Sequence, residues 1–289
     1  MAEPNPWQQV ILAQRPSSAI NNWMTILFKH NNERQTLMQR ELYKRTYFNE
    51  GEIPKWRCPT CLTGRLTLHE KLFVADNAAT RRDINEDYFD AEQISRVFTG
   101  ALCCANCGET VVFSGSGGVE REYSHENDDY EWVNYYVPRF FYPALKIIGM
   151  PEHASIPKDM EKAISASFSV FWSNLDSCAN RLRTAIELLL DSMAVVRKVN
   201  PNVTKELTLH QRIERIDSVQ YPHVQQMLEA IKLVGNDGSH DLGQVPREDI
   251  LSCYEILEHA LELVYPPPSK TPLIAQMAQK LIDKSSTRQ

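Results

Sequence analysis

Two C-x-x-C pairs constrain this chain more than any other feature of its sequence. The first is Cys58-Pro-Thr-Cys61, and the second is Cys104-Ala-Asn-Cys107. A C-x-x-C turn presents two thiolates to one ion, and two such turns complete the tetrahedron that Zn2+ prefers in structural sites. We therefore predict a four-cysteine zinc site. Its closed coordination leaves no open position for a substrate, so the ion would have a structural role and hold the two turns together.

The residues that follow each pair favour a zinc ribbon. Gly64 and Gly108 come shortly after the pairs, and glycine permits the positive φ that a backbone bending around a metal needs. Strand-like runs come next, over Arg65-Leu-Thr-Leu68 and Thr110-Val-Val-Phe113. Turn, glycine and strand, repeated twice, are typical of this module.

The interval between the pairs, residues 62–103, is longer than the roughly 15–20 residues usual for such sites. We expect an inserted loop and a short helix over about residues 76–98. Cys103 adjoins a ligand, but Cys104 is assigned because it keeps the two-residue spacing to Cys107. Coincidental spacing and thiol redox chemistry are the alternatives to zinc.

The composition limits the classes of protein to which this chain can belong. A chain of 289 residues is long enough for about two domains, and its 43% hydrophobic and 24% charged residues are ordinary for a globular protein. No apolar run reaches the roughly 18 residues of a membrane span, and the first 30 residues lack a secretory signal pattern. Seven cysteines without such a signal argue for a reducing compartment. We expect a soluble, cytoplasmic protein without a membrane partner.

The net charge of −6 restricts nucleic-acid binding. A protein that binds nucleic acid through many phosphate contacts usually has a basic composition or a basic face. Here such contacts would require a local basic patch. The composition therefore does not favour broad phosphate binding.

Four segments follow from the pattern along the chain. They are a helical N-terminal segment (1–50), a zinc ribbon with an inserted loop (51–150), a helical bundle (151–268) and a C-terminal tail helix (269–289). Three consecutive prolines, at 266–268, end the bundle. The fold class is α+β, with a small zinc-ribbon β module joined to an all-α bundle.

Local signals support this division. Trp23, Met24 and Leu27 fall on one helical stripe of the N-terminal segment. We expect a flexible turn over Ser114-Gly-Ser-Gly-Gly118 and a polar loop over residues 125–129.

A dense aromatic run lies at the end of the ribbon segment. It could stack nucleic-acid bases, or it could form the seam that packs the ribbon against the bundle. The acidic residues over 126–131 disfavour nucleic acid there. The run comprises Tyr130, Trp132, Tyr135, Tyr136, Phe140, Phe141 and Tyr142.

Five helices are predicted in the bundle, because apolar residues recur there at intervals of three and four. Ser173 with Asp176, and Thr208 with Gln211, have the spacing of capping boxes. We expect the fourth helix to end at Gly235. The five helices begin near Pro157, Ser173, Thr208, Pro222 and Pro246.

Three motifs of the bundle carry a family resemblance. They are Arg183-x-x-x-Glu187, Leu207-Thr-Leu-His-Gln-Arg-Ile213 and Gly235-Asn236-x-x-x-His240. With them, the segment from about residue 156 to 265 resembles the domain-of-unknown-function family 4145. A zinc ribbon ahead of such a domain is similar to an arrangement found in bacterial members.

This resemblance implies a relation to the HEPN superfamily of helical bundles, many of which are metal-independent ribonucleases in toxins and phage defence. Their motif is an Arg, four to six further residues and a His, often with Asn right after the Arg. The His acts as general acid or base and the Arg stabilises the charge on phosphorus. HEPN domains commonly form homodimers that bring two motifs together.

The resemblance assigns five candidate catalytic residues. Asn236 and His240 align with the motif, while Gly235 stands where its Arg is expected. Lys232 is the nearest upstream cation, and Arg183 with Glu187 could supply the missing charge. A structural role is the alternative for each: His240 capping its helix, and Arg183 with Glu187 bracing the bundle.

Two functions therefore compete. The first is a zinc-ribbon HEPN-like protein of prokaryotic defence or toxin type that acts on or binds RNA. The second is a non-catalytic adaptor, which dimerises through the bundle and binds a protein or nucleic-acid partner through the ribbon. Residues 1–50 would offer a further surface for a protein partner.

Overall fold

The computed structural model describes residues 38–49, 51–125, 128–151, 153, 155–200, 204–240 and 245–286, without the side chains of 237, 239, 240 and 284–286. These ranges belong to one compact unit, Leu37–Gln289. They contain a six-stranded antiparallel sheet and eight α-helices. The expected combination of a β module and helices is therefore present. The predicted stripe of Trp23, Met24 and Leu27 lies outside the described residues.

The six strands form one sheet with the order β1-β6-β5-β4-β2, and β3 also pairs with β4. The predicted strands after the two cysteine pairs are confirmed as β2 and the start of β5. β5 and β6 continue well past the pairs as a long ladder. The strands are β1 (Phe48–Asn49), β2 (Leu66–Leu68), β3 (Phe73–Asp76), β4 (Arg96–Cys104), β5 (Thr110–Ser124) and β6 (Asp129–Tyr142).

Alternation along the strands gives the sheet a buried inner face. Successive side chains of a strand point to opposite faces, so every second residue meets the core. Trp56 packs against this face, with its ring centroid 5.0 Å from that of Phe141. The inner face carries Leu66, Phe98, Leu102, Val111, Phe113, Tyr136 and Phe141, all buried.

Part of the aromatic run forms the junction with the helices. The Phe141 ring lies 4.9 Å from that of Trp172, which follows the first helix of the bundle. The prediction of a packing seam holds for Phe141. By contrast, Tyr130, Trp132, Phe140 and Tyr142 are exposed.

The prediction of a turn over residues 114–118 was wrong, because these residues lie inside β5. The ladder with β6 shifts register between Ser114 and Gly115. A Cβ added at Gly115 would lie 2.0 Å from the Val137 carbonyl oxygen. Glycine here lets two strands approach closely rather than reversing the chain.

The helices begin and end as follows: α1 (Arg40–Lys44), α2 (Ala78–Asp83), α3 (Lys158–Val170), α4 (Leu175–Ser192), α5 (Leu209–Ile213), α6 (Val224–His240), α7 (Arg247–Val264) and α8 (Thr271–Ser286). Within the predicted N-terminal helical segment, the described part contains only α1, and β1 follows it. The predicted helix between the cysteine pairs is confirmed by α2. Among the described helices, none is both long and apolar enough to cross a membrane.

The caps of the bundle helices α3, α5 and α7 agree with the sequence, and that of α4 differs by one residue. The Thr208 and Gln211 capping box of α5 is present in both directions. Pro246 precedes α7, as predicted. At α4 the cap is Asn174 rather than Ser173, since the Asn174 side chain accepts the Ser177 backbone N–H at 2.7 Å.

Helix α6 does not end at Gly235, and this prediction was also wrong. The helix continues to His240, and Gly235 and Gly238 lie on its side that faces α4. A Cβ added at Gly235 would lie 2.9 Å from the Cβ of Arg183, and one at Gly238 would lie 2.9 Å from the Asp176 carbonyl oxygen. The two glycines on one face of α6 therefore allow α4 and α6 to pack closely, and they do not end the helix.

A half-buried arginine joins the sheet side of the molecule to the bundle. The Arg247 guanidinium lies 4.6 Å from the Phe171 ring centroid and 5.2 Å from that of Trp172. It donates to the Tyr43 carbonyl oxygen at 3.1 Å. Burial lowers the pKa of Arg247 to about 10, but leaves it charged at neutral pH. This cation–π contact holds α1 and α7 beside the junction.

The Gly238→Ala substitution tests the packing of α6 on α4. Alanine is the better helix former by about 1 kcal/mol, but the added methyl would press on backbone atoms of α4. We expect the packing effect to win and to lower the free energy of unfolding by about 1 kcal/mol or more, measured by urea denaturation. Gln226→Ala, at an exposed position of α6, is the control and should change stability by less than about 0.5 kcal/mol. A more stable Gly238→Ala protein would contradict the close approach.

Candidate metal centre and polar cluster

The four predicted cysteines converge at one end of the sheet. The sulfur atoms of Cys58, Cys61, Cys104 and Cys107 all lie within 4.8 Å of one another. Two of the separations are 3.6 Å, from Cys58 to Cys107, and 3.7 Å, from Cys61 to Cys104. A regular tetrahedron with Zn–S distances of about 2.3 Å has edges of about 3.8 Å. The arrangement is therefore compatible with a metal ion held by four thiolates.

Strand pairing fixes the two turns against each other. Cys104 is the last residue of β4 and lies opposite Leu66 of β2 in the ladder. The Cys58 N–H donates to the Gly64 carbonyl oxygen at 3.0 Å, which closes the first turn. The sheet therefore brings together two turns that are far apart in sequence.

Polar hydrogens surround the sulfur atoms. Backbone N–H groups of Thr60 and Gly64 donate to the sulfurs of Cys58 and Cys61 at 3.4 and 3.3 Å. The Asn106 side-chain amide donates to Cys61 at 3.5 Å. Asn106 and then the Gly64 N–H lower the pKa of the Cys61 thiol to about 5. At Cys61 these bonds favour the thiolate, which is the form that binds a metal, whereas burial raises the pKa of Cys58.

Asn106 was not singled out in the sequence, although it occupies an x position of the second C-x-x-C pair. An amide there reaches the sulfur of the other turn, and it also donates to the Thr63 hydroxyl at 3.0 Å. The only sequence signal is a polar residue between two ligands. The sequence does not show which sulfur the amide reaches, because that depends on how the two turns are placed.

The two glycines after the pairs have different roles. Gly108 has a φ of +76°, as predicted. In the first turn the positive φ belongs to Leu62, at 59°, so the expectation for Gly64 was wrong. Gly64 is needed for space, because a Cβ there would lie 2.3 Å from the Cys104 sulfur.

The remaining cysteines stand apart from the cluster. Cys103 is not among the four clustered sulfurs, which agrees with the choice of Cys104. Cys178 and Cys253 are buried in the bundle, and the Cys178 sulfur lies 3.2 Å from the Tyr254 hydroxyl. Within the cluster, Cys58 and Cys104 are buried while Cys107 is exposed.

Three of the five candidate catalytic residues meet where α4 crosses α6. The Arg183 guanidinium donates to the Asn236 side-chain oxygen. Its Nε lies 3.7 Å from a Glu187 carboxylate oxygen, one helical turn along α4. The Arg183 and Glu187 side chains are 31% and 37% exposed, so the cluster is accessible from solvent.

Lys232 and His240 are placed differently. The Lys232 ammonium lies 2.6 Å from the Glu229 carboxylate on its own helix and is only 12% exposed. Glu229 also lies 3.1 Å from the Nδ1 of His210. His240 is the last residue of α6, and its side chain is outside the described part of the chain.

A buried arginine of the second quoted motif has a structural role that sequence reasoning missed. Arg212 of α5 donates to Asp191 at 2.6 Å and to the Val195 carbonyl oxygen at 3.0 Å. Asp191 also pairs with Arg197. This network ties α5 to the end of α4. Its sequence signal was a charged residue next to the apolar positions Leu209 and Ile213.

Removal of one thiolate tests the metal centre. We expect the purified wild type to contain about one zinc per chain, and Cys61→Ser to lose most of it and unfold at a lower temperature. Cys103→Ser is the matched control, because Cys103 adjoins a ligand but lies outside the cluster. Elemental analysis and thermal unfolding measure both effects. Equal metal content in the two variants would contradict the four-cysteine assignment.

Two family models match separate parts of this chain. Residues 46–141 match the family described as Domain of unknown function (DUF8608), a range that includes all four clustered cysteines. Residues 165–285 match the family described as Domain of unknown function (DUF4145), which supports the resemblance drawn from the motifs of α4 and α6. No curated protein and no solved structure matches the chain. The similarity therefore reaches two domain families, neither of which is described by a function.

Proposed function

We propose that this is a zinc-stapled, HEPN-like protein of prokaryotic defence or toxin type that acts on RNA in the cytoplasm. The observation that carries the proposal is the contact between Arg183 of α4 and Asn236 of α6. It sets a partly exposed guanidinium beside the helix that ends at His240. Arg, Asn and His are the residue types of the HEPN motif, but here the Arg comes from another helix.

The roles of these residues follow from their chemistry. A guanidinium presents a planar fork of N–H donors that matches two phosphate oxygens. Asn236 fixes the orientation of the Arg183 side chain, and Glu187, at 3.7 Å, is a weak partner that a phosphate would replace. His240 would act as general acid or base at the 2′-hydroxyl or the leaving oxygen.

The zinc ion has no step in this chemistry. Four thiolates close its coordination, so it would hold the two turns and the adjoining strands in place. RNA cleavage by the helical site would therefore be metal-independent. A homodimer that brings two such sites together belongs to the same proposal.

The test is RNA cleavage without added divalent metal. We expect His240→Ala to lower the rate by about 10²- to 10⁴-fold and Arg183→Ala by about 10²- to 10³-fold, because they remove the proton carrier and the phosphate ligand. Arg181→Ala is the matched control, since it removes an exposed cation from the same helix. Cleavage that survives in both site variants would overturn the assignment.

A second candidate function is that of a non-catalytic adaptor. The observation that favours it is the pairing of both cations with carboxylates of their own helices, Arg183 with Glu187 and Lys232 with Glu229. In this case the cluster braces the bundle. The protein would bind its partner elsewhere.

If the protein is an adaptor, a substitution in the Arg183 cluster should change stability and not activity. We expect Arg183→Ala to lower the free energy of unfolding by up to about 1 kcal/mol, since partly exposed ion pairs contribute little. Urea denaturation measures this against Arg181→Ala, and fluorescence anisotropy with labelled RNA should show no difference between the wild type and Arg183→Ala. RNA binding that depends on Arg183 would exclude the adaptor in this form.

A further inference from the structure

The C-terminal helix α8 exposes an apolar stripe. Leu273, Ile274, Met277 and Leu281 are between 52% and 68% exposed, and every residue from 266 to 283 is exposed. At 3.6 residues per turn these positions, with the exposed Ile282, span about half of the helix circumference. An isolated helix of 16 residues is only marginally stable in water, so α8 requires a broad apolar surface to cover it.

The outer face of the sheet is a second exposed apolar surface. The side chains opposite to the buried inner face include Phe73, Val97, Val112, Phe140 and Tyr142, which are 50% to 81% exposed. The ladders place Tyr142 across from Val112, and Phe140 across from Ser114. They also place Thr99 beside Ser114 and Phe73 beside Thr99. These residues therefore form one continuous surface over four strands.

The chemistry of this outer face fits an apolar helix. The positions between its large residues are Thr99, Ala101, Ser114 and Ser116, all of them uncharged. Interface cores are depleted in charged residues, and the apolar face of a sheet is usually covered by another layer of structure. A nucleic acid would instead require cations on this surface.

The two surfaces have similar dimensions. Sixteen helical residues extend about 24 Å, and β5 from Thr110 to Ser116 extends about 20 Å. A helix laid on the outer face would contact several strands with its wide stripe. The match in length and polarity makes each surface a suitable partner for the other.

Within one chain α8 does not cover the outer face, because residues 266–283 are exposed and so are Phe73, Val112 and Tyr142. The first residue of α7, Arg247, contacts Trp172 at the inner face of the sheet, whereas Tyr265, after its last residue, contacts His153. The 18 residues of α7 are about 27 Å long, so α8 begins far from the contact of Arg247 with Trp172. Residues 266–270 span at most about 18 Å, which is less than the length of α7.

We propose that α8 docks on the outer face of the sheet of a second copy of this chain, and that the second copy returns the same contact. A twofold axis makes such an exchange self-complementary and closed. The prolines at 266–268 form a stiff connection that holds α8 away from its own bundle. The proposal is independent of RNA chemistry, because no residue of the α4 and α6 cluster takes part.

The first experiment measures the mass in solution by sedimentation velocity over a range of concentrations. We expect a dimer for the wild type. Leu281→Glu on α8 and Val112→Glu on the sheet should each weaken the dimer by at least about 30-fold, because each buries an unpaired carboxylate. Phe140→Glu is a second sheet variant. Val219→Glu, at a position 90% exposed outside both surfaces, is the control and should remain dimeric.

The second experiment mixes the two monomeric variants. In a reciprocal dimer, Leu281→Glu retains an intact sheet face and Val112→Glu retains an intact α8, so one good contact forms when they are combined. We expect a heterodimer from the mixture and little dimer from either variant alone. Unchanged zinc content and thermal unfolding of each variant show that both are folded.

Three outcomes overturn the proposal. A wild type that stays monomeric at all concentrations excludes the exchange. Dimers that Leu281→Glu disrupts but Val112→Glu and Phe140→Glu do not would show that α8 pairs with α8. A mixture of the variants that stays monomeric would show that the two surfaces do not contact each other.

Discussion

The cluster of four sulfur atoms is the constraint on which the sheet depends. It joins the turn before β2 to the turn between β4 and β5, two points separated by more than 40 residues of chain. Closing such a loop costs entropy that the few hydrogen bonds of the short strand β2 offset poorly. A metal ion bound by the four thiolates would supply that free energy in one step. The long ladder of β5 and β6 then extends away from this end of the sheet.

The junction between sheet and bundle is aromatic and includes one half-buried cation. Trp56, Phe141 and Trp172 are in mutual ring contact, with centroids 4.9 to 5.8 Å apart. Arg247 lies against the same cluster and ties the first residues of α7 to α1 through Tyr43. The cysteine end and the helical site are thereby held in one compact unit.

Within the bundle, two glycines set the geometry of the candidate site. Gly235 and Gly238 allow α6 to approach α4, and that approach lets Asn236 reach the Arg183 guanidinium. The same cluster supports both proposed functions, since a partly exposed Arg–Asn–Glu group is able either to bind phosphate or to brace two helices. The distinction between them is chemical, so it depends on RNA cleavage and not on the fold.

The sequence by itself determined the features that arise from near neighbours: the four cysteines that cluster, the capping box of α5, the start of α7 and the helix between the cysteine pairs. It did not determine the roles of the glycines at 64, 115, 235 and 238, nor that residues 114–118 are a strand. Glycine is compatible with a turn, a helix end or a close contact, and only the atom that a Cβ would meet decides among them. Tertiary structure also decided that Arg183 meets Asn236 and that Lys232 is paired with Glu229. These contacts depend on how α4 and α6 pack, which spacing along one helix does not specify.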